Sequence, residues 1–129
     1  MIVLDSSATV HLFAGLDRAD WVGEQIRGES VHAPYLVDVE VANALRGLVA
    51  RGELSQPDAR RALDDYADLA LRRYAHVLFL DRIWQLRTHV TAYDAVYIAL
   101  SEALDAPLVT TDVRLARTRG HCARIVAPA

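Results

Sequence analysis

The sequence predicts an α/β protein: a three-layer α/β/α sandwich with a mostly parallel five-stranded sheet and a helical hairpin. Three observations predict it. Strand-like and helix-like segments alternate along the chain, which builds a parallel sheet covered on both faces. The strand segments are short apolar runs of the kind buried on both sides. Residues 91–104 read as a helix that is apolar round most of its circumference, and such a helix belongs in the middle of a domain. Residues 1–129 are expected to form one domain, since that length holds a single core and no linker, repeat or low-complexity segment divides it.

Each element has its own signal. Met1 to Leu4 is the first strand, and Asp5-Ser6-Ser7 ends it and caps a helix reaching Ala14-Gly15. Asp17 or Asp20 starts a second helix that carries Trp21, Val22 and Ile26 and stops near Gly28. Ser30 to Ala33 is the second strand, ended by Pro34. Residues 36–50 form a helix with Val37, Val41, Ala44, Leu45 and Leu48 on one stripe, stopped by Arg51-Gly52. Ser55 caps a further helix, with Pro57 in its first turn, running to about Arg73 and completing the hairpin. Residues 76–80 are expected as the third strand, and Asp81 as the cap of a short helix bearing Ile83, Trp84 and Leu86. After the central helix, Ala106-Pro107 breaks the chain. Residues 108–110 form the fourth strand, a short helix follows Asp112 to near Gly120, and residues 123–126 form the last strand.

Composition excludes several classes. With 53% apolar and 24% charged residues the chain is globular rather than disordered. A net charge of −3 gives no global basic field for nucleic acid, although a local cleft can bind RNA. All 14 basic residues are arginine. The absence of lysine excludes P-loop nucleotide hydrolases and any lysine-based catalysis. Cys122, the single cysteine, has no partner for a disulfide or a cysteine-held zinc site. No apolar run approaches the roughly 20 residues of a membrane span. The first residues carry no basic region before an apolar run that stops at Asp5, so no signal peptide is read and a cytoplasmic protein is expected.

Sites on open parallel sheets form outside the carboxyl ends of the strands, where strand order reverses. Asp5 ends the first strand, and Asp112 lies just past the fourth. In a 3-2-1-4-5 order these strands are neighbours at the reversal. Asp94 begins the helix feeding the fourth strand and enters from the same end. Glu40 lies at the edge of its helix's apolar stripe and can lean over the cleft. Each acid also has a plain structural role open to it: Asp5 and Asp112 as N-caps, Asp94 closing a capping box with Thr91, Glu40 as a surface residue. Gathered together, they repel. At about 5 Å and an effective dielectric near 20, each pair costs roughly 3 kcal/mol, so the group must bind cations or stay partly protonated. Oxygen ligands without histidine or cysteine suit Mg²⁺ or Mn²⁺.

Four stretches in this order resemble the PIN-domain ribonucleases, most of all the VapC toxins of VapBC toxin–antitoxin pairs. They are Ile2-Val3-Leu4-Asp5-Ser6-Ser7, residues 40–46 beginning Glu40-Val41-Ala42-Asn43, residues 91–100 around Tyr93-Asp94-Ala95, and Leu108-Val109-Thr110-Thr111-Asp112. The resemblance covers essentially the whole chain; the hairpin and residues 120–129 follow it only in outline. The family's four acidic positions fall on Asp5, Glu40, Asp94 and Asp112. Its hydroxyl position before the last acid falls on Thr110, and its polar position one turn after the glutamate on Asn43.

The resemblance implies Mg²⁺-dependent cleavage of single-stranded or loop RNA, with Mn²⁺ able to substitute. It implies a homodimer neutralised by a VapB-type antitoxin whose carboxyl-terminal segment lies along the cleft. Operator DNA would be bound only through that antitoxin. On this reading Asp5, Asp94 and Asp112 hold the metal, and Glu40 orients water or completes a second site. Thr110 and Asn43 support carboxylates or a phosphate oxygen, and Ser6 offers its hydroxyl or N–H to a phosphate. Whether one ion or two are bound stays open.

Arg46, Arg82, Arg87 and Arg114 are candidates for phosphate contacts, with solvated or acid-paired roles as the alternative. The five histidines have no ligand spacing, and His89, near Asp94, reads as a surface residue. Trp21 and Trp84 are read as core or dimer contacts. Tyr93 and Tyr97 are read as packing against the hairpin, with base stacking as the alternative. A receiver domain or a haloacid-dehalogenase-like phosphatase would need a lysine, and the latter an acid where Ser7 stands. A non-catalytic PIN module would lack one of the four acids. A housekeeping nuclease of the same fold remains the enzymatic alternative.

Overall fold

The computed structural model describes residues 1–129. Strand β1 (Ile2–Leu4) is central and pairs in parallel with β2 (Val31–Pro34) and β4 (Leu108–Val109). The outer strands are β3 (Leu71–Tyr74), parallel to β2, and β5 (Ile125–Val126), parallel to β4. The order is β3-β2-β1-β4-β5, the predicted topology, with every pairing parallel.

Alternation along β1 divides the core into two layers. Ile2 and Leu4 join Val31 and Val109 on one face, beneath Ala8 and Leu12 of α1 (Ser6–Ala14) and Val22 and Ile26 of α2 (Ala19–Ile26). Val3, Ala33 and Leu108 belong to the larger core on the other side. There they meet α3 (Leu36–Ala50), α4 (Gln56–Ala67), α5 (Leu80–Gln85) and α6 (Ala92–Leu104). Residues Ala95 to Ser101 of α6 are all buried, as its apolar circumference requires. No helix is long and apolar enough to cross a membrane.

Helix ends follow the local chemistry. Asp5 accepts the Ala8 N–H at the start of α1, and Gly15 ends that helix at φ 65°, a conformation open to glycine without cost. Ser55 accepts the Asp58 N–H at the start of α4. Thr91 does the same for Asp94 at the start of α6.

The third strand is not where its apolar run lies. Helix α4 ends at Ala67 rather than near Arg73, and β3 is Leu71-Arg72-Arg73-Tyr74. Residues 76–79 form a 3-10 turn instead, and α5 starts at Leu80 with no side-chain cap from Asp81. The reason is that β3 is an edge strand, where charged side chains are tolerated and discourage further pairing. Its register is held by specific bonds rather than by hydrophobicity. The Tyr74 hydroxyl meets His32 Nδ1 at 2.7 Å. Arg73 grips the Asp38 carboxylate with Nε and Nη2, each at 2.9 Å, and Tyr66 donates to the same carboxylate at 2.5 Å. Burial works to raise the Asp38 carboxyl, but the bonds from Arg73 and Tyr66 outweigh it and hold it below the usual range. Asp38→Asn removes the charge that ties α3, α4 and β3 together. Because the pair is partly solvated, the expected loss is about 1 kcal/mol, read as a lower thermal midpoint with RNA cleavage unchanged.

Candidate active site

Asp5, Glu40, Asp94 and Asp112 come from four separate elements and lie towards the carboxyl end of the central strands. Asp5 follows β1, and Glu40 lies in the second turn of α3. Asp94 is in the first turn of α6, and Asp112 caps the short helix α7 (Val113–Ala116) beyond β4. Each feels the charge of another: Asp5 that of Asp112, Asp94 that of Asp112, and Glu40 that of Asp94.

Asp5 is the buried anchor, only 5% exposed. Its Oδ1 accepts the Ala8 N–H at 2.9 Å and the Ser7 hydroxyl at 2.8 Å, and its Oδ2 accepts the Thr110 hydroxyl at 2.5 Å. Burial pushes its carboxyl up to about 6 despite those three bonds, and Asp112 adds to the rise. Thr110 is fully buried and also accepts the Asp112 N–H at 2.9 Å, so one hydroxyl links the first acid to the loop carrying the last. Ser7 repeats the link by accepting the Thr111 N–H at 3.2 Å.

Glu40 accepts the Tyr97 hydroxyl at 2.7 Å. Burial raises its carboxyl. The Tyr97 hydrogen bond and the nearby Ser6 hydroxyl oppose that, and the Asp94 charge adds to it. Asp94 is raised by burial and by Asp112, with Arg114 opposing. Its carboxylate accepts no hydrogen bond from the chain, so it does not close a capping box; Thr91 caps α6 through its own hydroxyl alone. Asp112 accepts the Arg114 N–H at 2.9 Å. Two of the plain structural roles therefore hold, since Asp5 and Asp112 are N-caps as well as members of the group.

Other candidates divide. Asn43 is exposed and supports no carboxylate: its amide oxygen accepts Arg46 Nε at 3.2 Å. Arg82 is committed to Glu102 through two bonds, at 2.8 and 2.9 Å. Arg87 lies over the Trp84 ring, 4.7 Å from its centre, and Trp84 is exposed rather than core. Tyr97 is buried under Glu40 and has no face free for a base. Ser7 and Tyr97 are the site residues that sequence reasoning missed. Tyr97 lies three residues after Asp94, a spacing that puts both on one side of α6. Ser7 lies two residues after a capping aspartate, where a hydroxyl reaches the same carboxylate.

No three of the acidic, histidine and cysteine side chains stand close enough together to form a ready-made metal cage. The residues fit a divalent ion through donor chemistry: hard oxygens only, one carboxylate without any hydrogen-bond donor, and mutual repulsion that a cation would relieve. Two clefts border the group. One, of about 530 Å³, is lined by Ser6, Ser7, Asn43, Arg46 and Arg51 among others. The other, of about 510 Å³, is lined by Arg87, His89, Asp94, Asp112, Arg114 and Thr118 among others.

A parallel sheet in this order with four acids at its carboxyl mouth defines the class, and the family model for the PIN domain matches residues 2–121. The chain is 43% identical over 129 residues to the protein named Ribonuclease VapC9 of Mycobacterium tuberculosis, with 99% of each chain covered. It superposes on PAE2754 from Pyrobaculum aerophilum with a TM-score of 0.70 and 25% identity, over 96% of this chain and 81% of that one. VapBC2 from Rickettsia felis, solved with a DNA fragment from its promoter, shares the fold with a TM-score of 0.64 and 14% identity, over 97% and 98% of the chains. The chain belongs to the PIN-domain family, among the VapC proteins.

Proposed function

We propose that residues 1–129, as a single domain, are a cytoplasmic Mg²⁺-dependent endoribonuclease and the toxin of a type II toxin–antitoxin pair. The observation that carries this reading is the convergence of Asp5, Glu40, Asp94 and Asp112 at one mouth of the sheet, each coupled to another by charge. The ribonuclease name of the VapC9 relative supports it. Asp5, Asp94 and Asp112 would hold the ion, with Glu40 beside them. When bound, Mg²⁺, or Mn²⁺ in its place, supplies positive charge that acidifies a water and offsets the charge of the scissile phosphate.

The chain's own residues do the positioning. Ser7, Thr110 and the Ala8 N–H occupy three of the roughly four acceptor positions of the Asp5 carboxylate. Its orientation is thereby fixed before any ligand arrives. Tyr97 holds Glu40 by one oxygen and leaves the other to orient a water. Purified protein should cleave single-stranded RNA with Mg²⁺ and stop when the ion is chelated. RNA left intact with every divalent ion tried would contradict the reading.

An antitoxin partner is supported by the VapC relatives, and DNA would be bound through that partner alone. Growth arrest on expression, relieved by a short reading frame beside the gene, is the expected sign; growth unaffected by expression would instead favour a housekeeping nuclease. A homodimer is supported by an exposed apolar face at the 3-10 turn and α5, where Val77, Leu78 and Leu80 are 68%, 70% and 55% exposed. Leu78→Glu places a charge in that face and is expected to shift the protein to monomer in light-scattering measurements, with the fold retained.

A further inference from the structure

Arg114 stands at the border between the acids and the cleft beside them. Its backbone N–H donates to Asp112 Oδ1, while its guanidinium Nη2 lies 3.4 Å from Oδ2 and its Nε 3.5 Å from Oδ1. These are long contacts for a charge-assisted pair, which closes to about 2.7–2.9 Å when well made. The side chain is 90% exposed, so nothing else packs it into place. Its charge also reaches Asp94. The guanidinium therefore occupies, loosely, the negative ground that a divalent ion would take.

The neighbouring cleft is built for an anion as much as the acids are for a cation. Besides Asp94 and Asp112 it is lined by Arg87, Arg114 and His89, with hydroxyls from Thr88, Thr91 and Thr118. Arg87 is held in place by the Trp84 ring and by donating to the Trp84 carbonyl at 2.8 Å. His89 is seated by Gly120, where a Cβ would lie 2.5 Å from the imidazole. One wall thus carries negative charge and the others carry donors, with a single loosely held arginine able to face either way.

We propose that this cleft seats a phosphate of the RNA strand, and that Arg114 exchanges Asp112 for that phosphate when a divalent ion binds the acids. The inference rests on the metal-dependent nuclease reading above. A divalent cation on the Asp112 oxygens repels the guanidinium, and a phosphate in the cleft attracts it, so the two ligands bind cooperatively through one side chain. Without the ion, Arg114 screens the acids and is withheld from the strand.

The test uses the full chain and two probes, each titrated by calorimetry: Mg²⁺ alone, then adenosine 5′-monophosphate in saturating Mg²⁺. Arg114→Gln should bind Mg²⁺ about threefold more tightly, the scale of an exposed ion pair. It should bind the nucleotide about tenfold more weakly, the scale of a hydrogen bond to a charged group. Arg119→Gln, at an exposed arginine that does not line the cleft, should match the wild type in both titrations. Unchanged or weakened Mg²⁺ binding in Arg114→Gln overturns the exchange. So does an unchanged nucleotide affinity, or the same losses from Arg119→Gln. A wild-type protein that takes up no Mg²⁺ overturns the nuclease reading itself, and this inference with it.

Discussion

Asp94→Asn is expected to lower RNA cleavage by at least about 100-fold while leaving the fold intact. Losing an outer-shell partner of a metal site already costs about 10- to 100-fold, and Asp94 is proposed as a direct ligand. The fold should survive because the Asp94 carboxylate receives no hydrogen bond. The cap of α6 uses the Asp94 backbone N–H and the Thr91 hydroxyl, both of which the variant keeps. Burial and the Asp112 charge also raise the Asp94 carboxyl, so a neutral amide relieves strain rather than adding it. Steady-state cleavage of a fluorogenic RNA beside a thermal melt separates the two effects. Activity retained in Asp94→Asn removes it from the site.

Asp5→Asn should abolish cleavage and at the same time stabilise the metal-free protein at neutral pH. The Asp5 carboxyl is pushed up to about 6 from 3.8 in the folded chain, chiefly by burial. A group raised on folding stabilises the protein below its unfolded value and loses that contribution as pH rises through its folded value. The contribution of Asp5 to the stability of the metal-free protein should therefore be greatest near pH 4 and fall by about 3 kcal/mol towards pH 7. Glu40 and Asp94 are shifted in the same direction and act in the same sense. Asparagine carries no charge to bury. Its oxygen can still accept the Ala8 N–H and the Ser7 hydroxyl, and its amide can donate to Thr110. The variant should melt roughly 10 °C higher than metal-free wild type at pH 7, and the difference should vanish near pH 4. Added Mg²⁺ should raise the wild-type midpoint and leave that of the variant where it is. A variant less stable than wild type at pH 7 would show that the carboxylate is not an uncompensated charge.

What the sequence made legible follows from what each signal measures. Helix α3 is found at residues 36–50 as predicted, because a long amphipathic stripe ended by Arg51-Gly52 has one way to fold. Strand order was legible because parallel connections leave few topologies. The position of the four acids towards one end of the sheet was legible because strand ends and helix starts can be read along the chain. The third strand was not. Apolar content marks buried strands, but β3 is at the edge and is held by the Arg73–Asp38 and Tyr74–His32 bonds between elements far apart in sequence. The apolar run at 76–80 has the pattern of a buried strand, whereas its side chains at Val77, Leu78 and Leu80 are exposed.

The supporting residues were harder to read for a related reason. Whether a hydroxyl reaches a carboxylate depends on three-dimensional spacing that no local pattern records. Thr110 does reach Asp5, a bond spanning 105 positions in the chain. Asn43, to which the family resemblance gives a supporting role, turns instead to Arg46. Tyr97 looked like core because it is core; its hydroxyl makes it part of the site as well.

Uptake of Mn²⁺ tests the central claim most directly, because the ion's own magnetic resonance signal reports binding without any RNA. Wild-type protein should bind Mn²⁺ saturably, in competition with Mg²⁺, and Asp5→Asn, Asp94→Asn and Asp112→Asn should each weaken that binding at least about tenfold. Binding that is absent from the wild type, or equally strong in all three variants, would contradict the account.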